Sequence, residues 1–281
     1  MPLPMFNPQG VQPKIHHIIA IAAGKGGVGK STVAVNLALV LKESGYKVGI
    51  LDADLYGPSI NKMLPLDRLP SQKGERIFPG LSHGLKIISM AHFSEEGKAK
   101  AVRAPIANSI IAQFLEKVQW EELDFLLIDF PPGTGDIQIT LAQKAKIEGA
   151  LMVTTPQDVA GIDVIKAIDL FKAVNIPILG IIENMSYLKV PGLLDVLRPF
   201  GSGGGEKIAR DCGAPLIAKI PIDEKISYCC DRGVSLFSGS GGEEARDAFL
   251  DAGRKLASCL EFASEEGAGH FKMEWRNFPN E

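Results

Sequence analysis

A glycine-rich stretch near the start of the chain has the residue types and the spacing of a phosphate-binding loop. Residues 24–32 read GKGGVGKST and match the pattern G-x-x-x-x-G-K-S/T, between an apolar run and a segment of helical spacing. Glycines leave backbone N–H groups free to surround phosphate oxygens, and the N-terminus of the following helix adds a positive dipole. We expect Lys30 to reach the terminal phosphates of a nucleotide and Ser31 to bind Mg²⁺. The residues expected to bind the nucleotide in this loop are Gly24, Lys25, Gly26, Gly27, Val28, Gly29, Lys30, Ser31 and Thr32.

Acidic residues lie at the ends of two of the apolar runs. Asp52 and Asp54 belong to ILDADLYGPS, and Asp129 belongs to LLIDFPPGTGD, shortly before Gly133. Ligands sit at the carboxyl ends of strands in open α/β sheets, and Mg²⁺ favours carboxylates together with phosphate oxygens. We assign Asp129 to the outer shell of the magnesium ion, Asp54 to orienting the attacking water and Asp52 to assisting at the metal. Gly133 is counted among the nucleotide-binding positions, and for Asp52 a purely structural place at a strand end stays open.

The elements that must position these residues alternate along the chain. Seven short apolar runs are typical of buried parallel strands, and segments of helical spacing lie between most of them. This alternation predicts an α/β fold with a mostly parallel sheet and helices on both faces, in three layers. The helices are predicted at residues 32–43, 105–118, 137–145, 160–173 and 243–262. Two stretches interrupt the alternation, residues 65–84 and 185–205, and loops of this length are usually functional or mobile.

The composition limits the class of protein. The 281 residues carry 30 Lys and Arg against 33 Asp and Glu, so a net charge of −3 gives no basic excess for binding nucleic acid. We expect no membrane span and no secretory signal, and therefore a cytoplasmic protein with reduced cysteines. Four prolines among the first 13 residues predict a flexible lead-in at residues 1–14. A single ATPase domain is predicted over residues 15–263, followed by a tail at 264–281.

A second lysine in the loop, Lys25, needs an explanation, because Lys30 already serves the phosphates of its own subunit. The sequence GKGGVGKST resembles the deviant phosphate loop of the MinD, ParA and nitrogenase iron protein class of ATPases. In that class the first lysine crosses a two-fold dimer interface to the partner's phosphates, as an arginine finger does in other NTPases. The resemblance implies that Lys25, Lys30 and Asp54 are catalytic and that a homodimer closes over ATP. A surface lysine tolerated in a loop is the alternative.

Motifs farther along the chain narrow the resemblance to the Mrp/ApbC group of iron–sulfur cluster carrier ATPases. They are, in order, DADLYGPS, LDFLLIDFPPGTGDIQITL, VTTPQDVAGIDVIKAIDLF, IPILGIIENMSY, FGSGGGEKIA and IPIDEKI…CDRG, and they cover about residues 15–240. The resemblance implies that Asn184 of ENM reads the adenine ring, since an amide can both donate and accept a hydrogen bond. It also implies that Asp223 of IPID lies in the segment that closes the base pocket. A strand-end cap is the alternative for Asn184.

The chain departs from this group at the expected cluster ligands. Relatives usually carry C-x-x-C shortly after ENMSY, and two subunits together supply the four thiolates that an iron–sulfur cluster requires. The corresponding stretch here reads LKVPGLLDVLRPFGSGGG and contains no cysteine. Cys229 and Cys230 are the remaining candidates for a 4Fe-4S cluster that bridges the dimer, although adjacent residues usually point in different directions. The alternative is that both are buried packing thiols.

The resemblance therefore implies a homodimeric, Mg²⁺-dependent and slow ATPase that binds iron–sulfur clusters and transfers them to apoproteins or assembly proteins. A second hypothesis is a MinD- or ParA-like switch that acts on a protein partner without a cluster. The apolar side chains at residues 188–200 would then pack against the dimer mate, a client or their own domain. Neither a membrane nor nucleic acid is expected as a partner, because the chain lacks a basic amphipathic C-terminal helix and a positive charge.

Overall fold

The computed structural model describes residues 15–54, 57, 59–89 and 104–265. The predicted lead-in at residues 1–14 lies outside them, as does the predicted tail apart from residues 264 and 265, which extend the last helix. Among the described residues, no helix is both long and apolar enough to cross a membrane.

Eight strands of the described chain form one sheet, and its seven parallel members are the seven predicted strands. They are β1 (Ile15–Ala22), β2 (Val48–Asp52), β5 (Gly80–Ser82), β6 (Leu85–Ser89), β7 (Leu123–Asp129), β8 (Gly149–Thr154), β9 (Ile178–Glu183) and β10 (Leu216–Lys219). The order across the sheet is β10-β9-β8-β1-β7-β2-β6-β5, and only β5 pairs antiparallel, with β6. Strand β1 lies between β7 and β8, in the middle of the sheet. The prediction of a mostly parallel sheet is confirmed.

Helices cover both faces of this sheet. They are α1 (Lys30–Glu43), α2 (Ile60–Met63), α3 (Ala104–Lys117), α4 (Asp136–Lys144), α5 (Asp158–Ala173), α6 (Gly204–Cys212), α7 (Glu224–Arg232) and α8 (Glu243–Glu265). Side chains alternate along each strand, so Ile19 and Ile21 of β1 face α1 and α8 while Ala20 and Ala22 face the side of α3, α4, α5 and α6. The two resulting cores confirm the predicted three layers.

The stretch at residues 65–84 holds more structure than its sequence predicts. A separate two-stranded hairpin, β3 (Ser71–Lys73) and β4 (Arg76–Phe78), precedes the edge strand β5. Each of these strands has three residues, too few to show a period of two, and tertiary pairing rather than local propensity decides them. Helix α7 was also not predicted, although Asp223 caps it by accepting a hydrogen bond from the backbone N–H of Lys225 at 2.8 Å.

Candidate nucleotide-binding site

The phosphate-binding loop connects the carboxyl end of the central strand β1 to the start of α1. Gly27 and Gly29 have φ values of 81° and 82°, in the left-handed region that glycine enters without strain. A Cβ at Gly29 would collide with the side-chain amide of Asn184, and one at Gly24 with the backbone of Asp163 in α5. The close approach of β9 and α5 to the loop therefore explains why glycine occupies these positions.

Four of the residues predicted to act at the phosphates and the metal lie close together beside the loop. The Lys30 Nζ lies 2.6 Å from the Asp129 Oδ1, and the Ser31 hydroxyl donates to the Asp129 Oδ2 at 2.6 Å. The Lys30 Nζ also lies 3.9 Å from the Asp54 Oδ2. Lys30 and Asp129 are both buried, which strengthens their attraction. Burial raises the pKa of Asp129, against the opposing effect of the Lys30 ammonium.

Asp52 lies behind this cluster and is fully buried. Its Oδ2 accepts from the Ser89 hydroxyl at 2.8 Å, and its Oδ1 accepts from the backbone N–H of Asp54 at 3.1 Å. Burial, together with the negative charge of the neighbouring Asp129, raises the pKa of Asp52 to about 7. The structure therefore places Asp52 where it supports Asp54. The Asp54 Oδ1 in turn accepts from the backbone N–H of Gly57 at 3.1 Å.

An open cleft of about 240 Å³ lies over the loop. Lys25 lines it and is partly exposed, with no ion pair to any described residue. A cation beside a phosphate-sized cleft, without a carboxylate partner in its own described chain, is free to contact a ligand or a second molecule. The lining residues are Lys25, Gly26, Gly27, Gly29, Lys30, Ser31, Thr32, Asp54, Gly57, Ser59 and Pro132.

The residues predicted to hold the base lie on neighbouring segments. Asn184 is buried after β9, and its Nδ2 donates to the backbone carbonyl of Val28 in the phosphate loop at 2.9 Å. The segment that ends in Asp223 runs beside it, because the backbone N–H of Ser186 donates to the carbonyl of Ile220 at 2.9 Å. Gly133 has a φ of 95° and donates to the carbonyl of Ala23 at 3.4 Å, beside the start of the loop.

The two candidate cluster ligands, Cys229 and Cys230, differ in their exposure. Cys229 is 2% exposed and lies in the core with α1 and α8, whereas Cys230 is partly exposed and packs against the same core. Burial raises the pKa of both thiols, which disfavours the thiolates that bind iron. In the described part of the chain, no group of three or more His, Cys, Asp or Glu side chains could hold a metal ion. The placement of these thiols gives no support to a cluster held by this pair.

Sequence reasoning missed two polar residues that organise this edge of the sheet. Ser89, at the end of β6, positions Asp52, and Glu183, at the end of β9, is buried with its carboxylate bound to Ser186 and Gly205. Both residues follow apolar runs at a carboxyl strand end, as Asp52 and Asp129 do. A polar residue at the end of an apolar run was therefore the sequence signal from which Ser89 and Glu183 could have been predicted.

A family model described as ParA, the NUBPL iron-transfer P-loop NTPase, matches residues 14–257. The chain is 43% identical over 261 residues to an iron–sulfur cluster carrier protein of Aquifex aeolicus, covering 92% of this chain and 71% of the relative. It is 47% identical over 227 residues to one of Methanocaldococcus jannaschii, covering 79% of this chain and 78% of the relative.

Solved structures show the same fold. A nucleotide-binding protein of Archaeoglobus fulgidus in complex with ADP superposes with a TM-score of 0.70 at 38% identity, covering 80% of this chain and 90% of that one. The cell-division ATPase MinD of Pyrococcus furiosus superposes with a TM-score of 0.61 at 24% identity, covering 87% and 99%. The second similarity is evidence for the fold alone.

Proposed function

This chain belongs to the NUBPL iron-transfer family of ParA-type P-loop NTPases, and on that premise we propose that it is a homodimeric, Mg²⁺-dependent ATPase that carries iron–sulfur clusters to apoproteins. The observation that supports the ATPase most directly is the convergence of Lys30, Ser31, Asp54 and Asp129 at the phosphate loop. A cytoplasmic location and slow turnover belong to the same proposal.

The residues present fit a magnesium ion. The hydroxyl of Ser31 and the carboxylate of Asp129 already touch, and hard oxygen donors with few carboxylates are the set that Mg²⁺ prefers beside phosphates. When bound, Mg²⁺ would neutralise charge on the phosphate oxygens. Ser31 would hold it directly and Asp129 through its outer shell, while Asp52 keeps Asp54 in place.

ATP binding would rearrange the ion pairs of the site. Lys30 would turn from Asp129 toward the terminal phosphates, and Asp54 would orient the attacking water once Lys30 has moved. Lys25 would reach the phosphates of the partner subunit, since no described carboxylate of its own chain holds it. Preorganised cations at developing negative charge are the main source of rate in phosphoryl transfer. Hydrolysis would separate the terminal phosphate from ADP, and its release would remove that charge and open the dimer.

The ATPase is tested by phosphate release from the full chain and three variants. Asp54→Asn should lower kcat by about a hundredfold or more, as expected for a lost water-orienting group, with nucleotide affinity retained. Lys25→Ala should lower kcat by a comparable factor and abolish dimerisation with ATP. The control is Lys146→Ala, an exposed lysine that precedes β8 and does not line the cleft. Unchanged phosphate release in Asp54→Asn would show that the catalytic assignment is wrong.

The carrier role follows from the family and from the names of the relatives, and one observation favours a second candidate. This chain has no C-x-x-C in the stretch after ENMSY, and Cys229 is buried in the core. The second candidate is a nucleotide-dependent switch that acts on a protein partner without a cluster.

Anaerobic reconstitution with iron and sulfide separates the two candidates. A carrier should retain about four iron per dimer, the count of one 4Fe-4S cluster, and should transfer them to an apoprotein. The double variant Cys229→Ala, Cys230→Ala is the matched control, and burial predicts that it retains the same iron as the wild type. No stable iron in the wild type would favour the switch.

A further inference from the structure

Met185 has a backbone conformation that a large side chain rarely adopts. Its φ is 54°, in the left-handed region where the Cβ crowds the following carbonyl oxygen and residues other than glycine are strained. The other described residues of this kind, His83, Glu121 and Asn175, each precede a parallel strand. Met185 instead follows β9, so among the described residues it alone combines this strain with the strand ends that carry the phosphate loop.

Hydrogen bonds on either side of Met185 explain the turn. In a regular strand, residues two apart bond to the same neighbouring strand. Here the backbone N–H of Asn184 donates to the carbonyl of Thr154 in β8 at 2.8 Å, whereas that of Ser186 donates to Ile220, after β10, at 2.9 Å. Since β9 lies between β8 and β10, the chain changes its bonding partner across Met185. Glycine would make the same turn without strain, so the backbone alone does not explain a methionine here.

The turn directs two side chains toward one glycine of the phosphate loop. The Asn184 Nδ2 donates to the carbonyl of Val28 at 2.9 Å. The Met185 Cε lies 3.7 Å from the point that a Cβ on Gly29 would occupy, and the amide of Asn184 lies closer to that point. Gly29 lines the cleft and directly precedes Lys30, whereas Met185 is partly exposed and does not line the cleft.

Gly29 is the residue of the loop whose conformation most needs support. It is the N-cap of α1, has a φ of 82° and makes no side-chain cap, and its carbonyl accepts the N–H of Val33 at 2.9 Å. A glycine has more backbone conformations available than any other residue, so neighbours that restrict it order the loop before a ligand arrives. An unbranched thioether side chain suits this place, because methionine fills irregular gaps.

We propose that Met185 is a positioning residue of the nucleotide site, whose side chain keeps Gly29 in the left-handed conformation with which the loop receives phosphate. The strain in its own backbone accompanies that contact. This inference rests on the proposed function, because it requires the loop to bind a nucleotide.

Three substitutions separate the side chain of Met185 from its backbone. Met185→Ala keeps the strain and removes the contact, Met185→Gly removes both, and Met185→Leu keeps an apolar side chain of similar volume. Titration of the full chain with a fluorescent ATP analogue should show about fivefold weaker binding for both Ala and Gly, the effect of losing about one packed methylene group. Met185→Leu should bind within about twofold of the wild type.

Thermal unfolding should rank the variants differently from nucleotide binding. Met185→Gly should unfold at a higher temperature than Met185→Ala, because glycine relieves the strain at positive φ, yet it should bind nucleotide no better. A residue that serves only the turn would show the opposite, with glycine restoring the affinity. The matched control is Asn175→Gly, an exposed residue after α5 with a φ of 59°, which should keep the wild-type affinity.

Methyl NMR of the wild type, labelled with ¹³C at the methionine methyl groups, gives a readout that needs no destabilised variant. The Met185 resonance, identified by its absence in Met185→Leu, should shift when the ATP analogue binds. An unchanged Met185 resonance in the saturated protein would overturn the positioning role.

The binding outcomes distinguish this role from the proposed function. If the wild type binds no nucleotide, both are wrong. If the wild type binds and Met185→Gly binds as tightly, only the positioning role is wrong. A loss in Met185→Leu as large as that in Met185→Ala would also contradict it, since the volume of the side chain would then not matter.

Discussion

At the scale of single residues, an ion pair and a hydrogen bond to one carboxylate stabilise the site without nucleotide. Asp129 binds both Lys30 and Ser31, so one carboxylate occupies the two groups that we propose for binding phosphate and Mg²⁺. The pair is buried, and its separation would leave a charge in a medium that solvates it poorly. The ligand-free site therefore depends on Lys30 for its stability.

Lys30→Met should lower the free energy of unfolding by about 3 kcal/mol without nucleotide, because it leaves a buried carboxylate without its ammonium. Chemical denaturation measures this difference. The double variant Lys30→Met, Asp129→Asn should be more stable than the single one, since the unpaired charge is then gone. Additive losses would contradict a coupled pair.

At the scale of elements, the turns between strand and helix decide where the chemistry lies. The phosphate loop follows the central strand β1, and its glycines allow β9 and α5 to approach closely. Two of these glycines, Gly27 and Gly29, share the same backbone conformation but have different surroundings. Substituting each glycine in turn therefore distinguishes the cost of backbone strain at positive φ from the cost of a collision with a neighbouring side chain.

Gly29→Ala should weaken nucleotide binding far more than Gly27→Ala. Both changes place a side chain at positive φ, at a cost of about 1–2 kcal/mol, but only the first collides with Asn184. Space around Gly27 is open within 4 Å. Titration with a fluorescent ATP analogue measures the difference, and equal losses would show that collision with Asn184 is unimportant.

Asp223 combines a structural role with a proposed one, and two substitutions separate them. Asp223→Ala should lower the free energy of unfolding by about 1 kcal/mol, because it removes the N-cap of α7, whereas Asp223→Ser keeps a capping oxygen. Thermal unfolding measures the cap. A contribution to the base pocket would instead change the preference for ATP over GTP in both variants.

At the scale of the whole molecule, the two faces of one sheet each pack against helices and form two hydrophobic cores. Phe249 of α8 belongs to the core on one face and Trp120 to the core on the other, and both are buried. Because each of the seven parallel strands contributes side chains to both cores, we expect residues 15–263 to unfold as one cooperative domain.

Phe249→Ala should lower the free energy of unfolding by about 3–5 kcal/mol, through the cavity that it leaves. The fluorescence of Trp120, measured in a Trp275→Phe background, should report the same shift in midpoint as circular dichroism. A Trp120 transition that stays at the wild-type midpoint would show that the two faces unfold separately.

The parts of the fold and of the site that depend on long local sequence patterns could be predicted from the sequence. Seven apolar runs gave the parallel sheet, and GKGGVGKST with the strand-end aspartates located the cleft. It could not predict β5, because three residues carry no periodicity. It also could not predict that Asp52 supports Asp54 or that Asn184 donates to Val28, because tertiary packing decides both contacts.

The single carboxylate of Glu183 that joins Ser186 and Gly205 has a consequence for how this family can diversify. It closes the segment between them at its base, so the sheet does not depend on what the segment contains. Changes in the length of a closed loop cost little, about 0.6 kcal/mol for each doubling. The nucleotide edge thus offers an exchangeable insert, whose sequence can change while the phosphate loop beneath it keeps its structure.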